Sequence, residues 1–405
     1  MSEEESLKGI ETQIIEQQNS YDNEKNKISE KQNVQVNKGY LLEYRIRRIL
    51  YHMGYFVKGG IILRTSLDNQ PEDITDLDVL GILINKNFSS SNIWADCKAG
   101  KAKPLERITW LNGIKAYFKL DEIIFVKKGI RLNIKEFARK QSIQVLDTNI
   151  IDKLEKIYCI DKNDYRGSWD HKTQTETLKL FQQIDVYNKQ SIKRMVDFIN
   201  CEYWSLDNYR RVKKSITAMK QLAEIIKLPI TSKQLVGAKW AIYENITLFM
   251  LATLNICKEI YYLEENNKKE IIYKNLSSGV LSERQSEEFV NASYRLAYSL
   301  IKSQIPDFNE KINPPKYEAK PPIYFDAYHS LILRITNNPL EFYDILRFLD
   351  IVLMEYDLKS KSISKTELEK IFSDYDKLLN SSKTILHFIC SVTNLPKELF
   401  QLISK

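Results

Sequence analysis

The sequence predicts an α/β domain followed by an all-α region. Three observations lead there. Between residues 42 and 146 the apolar residues switch between helical and strand spacing. From Thr175 to Lys405 they keep helical spacing almost throughout. Between the two lies a polar, turn-rich stretch, Asp161–Gln174 (DKNDYRGSWDHKTQ), which reads as a linker. At roughly 150 residues per domain, a chain of 405 residues holds two or three domains.

Residues 1–36 are rich in Glu, Gln, Asn, Lys and Ser and read as a polar leader, either a solvated helix or disordered. The α/β domain is expected over 37–160. Its first helix runs from Lys38 to Met53, with Leu42, Ile46, Ile49, Leu50 and Met53 on one stripe, and Gly54 stops it. Tyr55–Arg64 reads as strand with a turn or bulge at Gly59-Gly60. Ile74–Ile84 (ITDLDVLGILI) reads as one long strand, Ser89–Asn92 as a turn and Ile93–Cys97 as a further strand. Pro104 opens a helix over Leu105–Lys119. Glu122–Lys127 is a buried-type strand, Ile134–Lys140 a short helix and Ile143–Leu146 a last strand. The all-helical region is expected over 161–405. Ile192–Ile199, Ile216–Ile226, Trp240–Tyr262 and Phe342–Tyr356 carry its clearest periods. Prolines 306, 314, 315, 321 and 322 require an extended loop and divide two helical subdomains near 303–323.

Composition excludes several classes. A net charge of +7 permits a polyanion partner without establishing one. Five cysteines without CxxC spacing argue against a disulfide scaffold or zinc cluster, and a reducing cytoplasm is the expected location. The acidic N-terminus lacks the apolar core of a signal peptide. The most apolar stretch, Ala241–Cys257, carries Glu244, Asn245 and Asn255 and falls short of the ~20 apolar residues of a membrane span, so a buried helix is expected there and no membrane partner. The four histidines stand alone, and no GxxxxGK[ST] or GxGxxG loop occurs.

Chemistry concentrates in ITDLDVLGILI and IWADCKAGK. Alternate residues of a strand share a face, so Asp96 pairs with Lys98 and Asp76 with Asp78. If the two strands are neighbours, Asp78 and Asp96 converge on one divalent cation with Lys98 beside it. Such a cation polarises a phosphate and lowers the pKa of bound water, while the lysine orients that water and offsets charge.

A carboxylate at the start of an apolar strand, followed by [D/E]-x-K at the end of the next, resembles the PD-(D/E)xK nuclease superfamily. The matching residues are Asp78, Asp96 and Lys98, and Glu43 in the preceding helix stands where many members carry a further glutamate. Leu77 takes the place of the motif's proline. The resemblance covers residues 36–150 and implies a restriction-endonuclease-like fold, a mixed central sheet flanked by helices. It also implies Mg²⁺-dependent hydrolysis of DNA, with Mn²⁺ as substitute, in a bacterial defence or restriction setting. Asp78, Asp96 and Glu43 would hold the metal, Asp76 being the alternative ligand, and Lys98 would handle the attacking water. Lys101 and Lys103, beside the motif, and Arg45, Arg47 and Arg48, expected on the exposed side of the first helix, would hold the nucleic-acid backbone. The helical region would serve recognition, control, or contact with a second copy or another protein. Rival readings are an inactive nuclease-fold binding module, an RNA-directed enzyme and a helical scaffold.

Overall fold

The computed structural model describes residues 38–65, 72–100, 102–118, 120–160, 167–278, 283–305 and 319–404. The leader 1–36, Lys101 and most of the proline-rich segment lie outside them.

Helix α1 (Lys38–His52) buries Leu42, Ile46, Ile49 and Leu50, the stripe read from their spacing. Gly54, at φ +102°, ends it. Strands β1 (Phe56–Lys58) and β2 (Ile61–Arg64) flank Gly59-Gly60. β3 (Asp73–Leu77) pairs with β2 in a two-stranded antiparallel sheet. β4 (Val79–Ile84) and β5 (Ser90–Cys97) follow, then α2 (Pro104–Phe118), β6 (Glu122–Val126), α3 (Leu132–Lys140) and β7 (Ile143–Leu146). The main sheet has the order β1-β4-β5-β6-β7; β1, β4 and β5 are antiparallel neighbours, whereas β6 runs parallel to β5 and β7 to β6.

Three local expectations are corrected. Ile74–Ile84 is not one strand: the chain bends at Asp78, leaving the small sheet for the large one. The turn before β5 is made by residues 85–89, not 89–92. Buried Phe88 adopts φ +63° there, and Ser90–Asn92 already pair with β4. Helix α4 (Thr148–Ile157), absent from the expected order, follows β7 and packs on α1.

The two large helices cover opposite faces of the main sheet. Gly81 of β4 lies across from Ile93 of β5, and a side chain at Gly81 would meet Leu50 of α1. Trp94, next along β5 and so on the other face, packs its ring against Trp110 of α2.

Beyond a buried 3₁₀ turn at Gly167–Trp169 the chain is helical. It runs through α5 (His171–Gln182), α6 (Lys189–Asp197), α7 (Asn208–Ile225), α8 (Ser232–Ile260), α9 (Glu265–Ser277) and α10 (Glu283–Gln304). α11 (Phe325–Asn337), α12 (Ile345–Ile351), α13 (Lys365–Ile371) and α14 (Tyr375–Thr393) follow. The core helix is α8, opened by a capping box of Thr231 and Gln234. Among the described residues it alone is long and apolar enough to cross a membrane, and 94% of its apolar window is buried inside the protein.

The linker reading of Asp161–Gln174 fails over its described half. Gly167, Ser168, Trp169 and Asp170 are all buried. Trp169 packs between Tyr44 and Tyr51 of α1. The backbone N–H of Ser168 donates to both carboxylate oxygens of Asp350 on α12, and that of Gly167 donates to Glu355. Lys58 of β1 reaches Ser168 Oγ at 3.0 Å and Glu244 of α8 at 2.5 Å. Polar residues in this stretch face hydrogen-bond partners rather than water, as burial requires.

Candidate active site

The antiparallel register pairs Val79 with Ala95, and one step further sets Asp78 across from Asp96. Asp78 sits at the bend between the two sheets and is buried. Its Oδ2 accepts the backbone N–H of Cys97 at 2.7 Å and Lys98 Nζ at 3.0 Å. The N–H of Lys98 donates to Val126 O, extending the β5–β6 ladder past Cys97 and fixing where the lysine leaves the sheet. Its ammonium also lies 3.2 Å from Asp96 Oδ1. Asp78, Asp96 and Lys98 therefore meet as their spacing predicts. Burial raises the Asp78 pKa against the opposing pull of Lys98. For Lys98, burial works against the charged form, but Asp96 and Asp78 outweigh it and its pKa rises.

Glu43 reaches the same place from α1. Burial raises its pKa to about 7, Arg47 opposing and Asp78 reinforcing the shift. Arg47 is the hub behind it. Its guanidinium donates to Glu43 Oε2 at 3.1 Å, to Asp78 O at 3.0 Å and to Trp169 O at 3.2 Å. A Cβ at position 59 would lie 2.1 Å from Arg47 Nη2, so any larger residue there displaces the guanidinium from its present place. Asp76 is exposed on β3 and acts on Glu43 only through its charge.

Asp96 is the main departure. It is fully buried, and its carboxylate takes a forked pair from Arg107 of α2: Nε to Oδ2 at 2.9 Å and Nη2 to Oδ1 at 2.6 Å. As an even-numbered residue of β5 it faces α2, whereas Glu43 comes from the α1 side. Among the described residues no group of three or more His, Cys, Asp or Glu is arranged to hold a metal ion. Asp78 Oδ1 and Glu43 Oε1 accept no hydrogen bond among the described residues. A Mg²⁺ ion that takes one or two carboxylates and keeps several waters would need only these two side chains. Asp96, as held here, does not join them.

The arginines of α1 also differ from expectation. Arg47 and Arg48 are buried rather than on an exposed side, and Arg48 pairs with Glu155 of α4 at 2.6 Å. Arg45 pairs with Asp152 and Glu155. Helix α4, missing from the expected order, covers the side of α1 that Arg45 and Arg48 would have turned to solvent. Lys103 is exposed, as expected, and pairs with Glu106. Lys101 lies outside the described residues.

Beside Lys98 opens a cleft of about 250 Å³, walled by Leu41 and Leu42 and edged by Arg45, Lys127 and Lys128. Lys128 is exposed, and Lys127 Nζ donates to Gly100 O at 2.6 Å. Sequence reasoning missed these two lysines, although they directly follow β6, the parallel neighbour of the strand bearing Lys98. It missed Arg107 as well, although Arg107, Leu111 and Ile114 share one stripe of α2, a cation on an otherwise apolar line. The basic run Arg210–Lys214 serves the helical region itself, with Arg211 donating to Tyr203 O and Trp204 O. No protein-family model, curated protein or solved structure matches this chain.

Proposed function

We propose that the chain is a PD-(D/E)xK-type nuclease that hydrolyses phosphodiester bonds of DNA with Mg²⁺, or Mn²⁺ in its place. The observation that carries this reading is the Lys98 ammonium bridging Asp78 and Asp96 at the edge of an open, lysine-rimmed cleft. The strand order and the helix-borne Glu43 agree with the restriction-endonuclease-like arrangement that the motif implies. A bound cation would polarise a phosphate oxygen and acidify its water. Asp78 and Glu43 would hold it through their free oxygens. Lys98 orients the attacking water and offsets charge on the phosphate. Lys127 and Lys128 supply backbone affinity independent of sequence.

Asp78→Asn and Lys98→Ala should each abolish Mg²⁺-dependent plasmid cleavage while circular dichroism stays unchanged. Undiminished cleavage by both variants removes the mechanism. The second reading, a nuclease-fold module that binds nucleic acid or protein without cutting, is favoured by the Arg107 fork on Asp96. It prevails if the parent chain cleaves neither DNA nor RNA at millimolar Mg²⁺ or Mn²⁺.

A further inference from the structure

A second cleft, of about 190 Å³, lies between the α/β part and the helical part. Ser90 and Asn92 at the start of β5 line it, whereas Asp96 stands at the other end of that strand. Leu80 and Ile82 of β4 join them from the same face of the sheet, Ile82 pairing directly with Asn92. Phe118 closes α2 beside them. The helical part contributes Leu251 and Asn255, one turn apart on α8, and Arg211 from the start of α7.

An apolar cleft with a few placed polar groups is the usual form of a small-molecule site. The side chains of Ser90, Asn92 and Asn255 are half-buried, and among the described residues they make no hydrogen bond. Arg211 is held in place beforehand. Its Nε donates to Tyr203 O at 2.8 Å, Nη1 to Asn208 Oδ1 at 3.2 Å and Nη2 to Trp204 O at 3.1 Å. The guanidinium also lies 4.9 Å from the centre of the Tyr203 ring. All of these partners are neutral, and among the described residues no carboxylate pairs with Arg211. A guanidinium carries one N–H on Nε and two on each terminal nitrogen, so one remains on Nη1 and one on Nη2. A fixed cation at an apolar wall is complemented by an anion with an apolar body, and a guanidinium suits a carboxylate best.

We infer that this cleft binds a small amphiphilic carboxylate, its apolar body against Leu80, Ile82 and Leu251 and its anionic head on Arg211, with Asn255 as a further donor. The volume is below the roughly 300–1,000 Å³ of drug-sized sites, so the ligand is small. Because both parts of the chain line the cleft, the ligand touches both. The inference is independent of the nuclease reading.

The test is calorimetric titration of octanoate into the full chain, with octanol as the uncharged probe of equal chain length. The parent should bind octanoate at least about ten-fold more tightly than octanol, the worth of one charge-assisted pair. Arg211→Gln should remove that preference and leave octanol binding unchanged, and Arg211→Lys should keep part of it. Asn255→Phe, which fills the cleft from α8, should weaken both probes. Equal affinity of the parent for the two probes overturns the assignment, as does no binding of octanoate at about 1 mM. Octanoate binding that neither Arg211→Gln nor Asn255→Phe alters overturns it too, because the probe then sits elsewhere. The two probes on the parent and on Asn255→Phe decide the matter even if Arg211→Gln fails to fold.

Discussion

Lys127 and Lys128 edge the cleft beside Lys98, and on the nuclease proposal a strand entering it would pass them. Each phosphate contact contributes about 0.9 to the slope of log affinity against log salt. Replacing both lysines with glutamate should weaken duplex binding in EDTA equally for unrelated sequences and lower that slope by about 1–2. Filter binding at several salt concentrations checks this, and an unchanged slope would place the strand elsewhere. At this scale the meeting of Asp78 and Asp96 at Lys98 was legible, because strand alternation constrains which side chains share a face. The commitment of Asp96 to Arg107 was not, because it depends on which face of β5 meets α2. Arg47 and Arg48 differ from expectation for a related reason: a helix face covered by neighbours turns its charged residues inward when those neighbours supply hydrogen-bond acceptors.

The elements of the main sheet were legible within a few residues, since buried strands and periodic helices carry strong signals. The bend at Asp78 was hidden because β3 and β4 read as one strand, first alternating and then apolar, yet belong to two sheets. That bend is what brings a carboxylate to the end of the sheet. The junction between β1, the 3₁₀ turn and α12 offers an element-scale prediction. Asp350 is buried against the backbone of Ser168, and burial raises its pKa to about 6, with Lys58 opposing. A carboxyl whose folded pKa is raised contributes stability below the unfolded value near 4 and loses it as pH rises through 6. Asp350→Asn should therefore lose about 2 kcal/mol less than the parent between pH 4.5 and 7. Urea unfolding at both pH values measures it, and parallel losses would show that Asp350 does not titrate in this window.

At the scale of the molecule, the α/β part and the helical part share one interior. Trp169 fills a slot between two tyrosines of α1 while its carbonyl receives Arg47. Truncating a buried aromatic of this size costs about 3–5 kcal/mol. Trp169→Ala should lose that much stability and also weaken Mn²⁺ binding, although it touches no carboxylate of the site. Calorimetry showing parental affinity in the variant would uncouple the helical region from the site. None of this connection was legible, because GSWD has the composition of a solvated turn. The partnership of Arg47 and Gly59 has a consequence for redesign. The two positions stand twelve apart in the chain yet share one space, so any larger residue at 59 displaces the Arg47 guanidinium, whereas shortening Arg47 makes room for a side chain at 59.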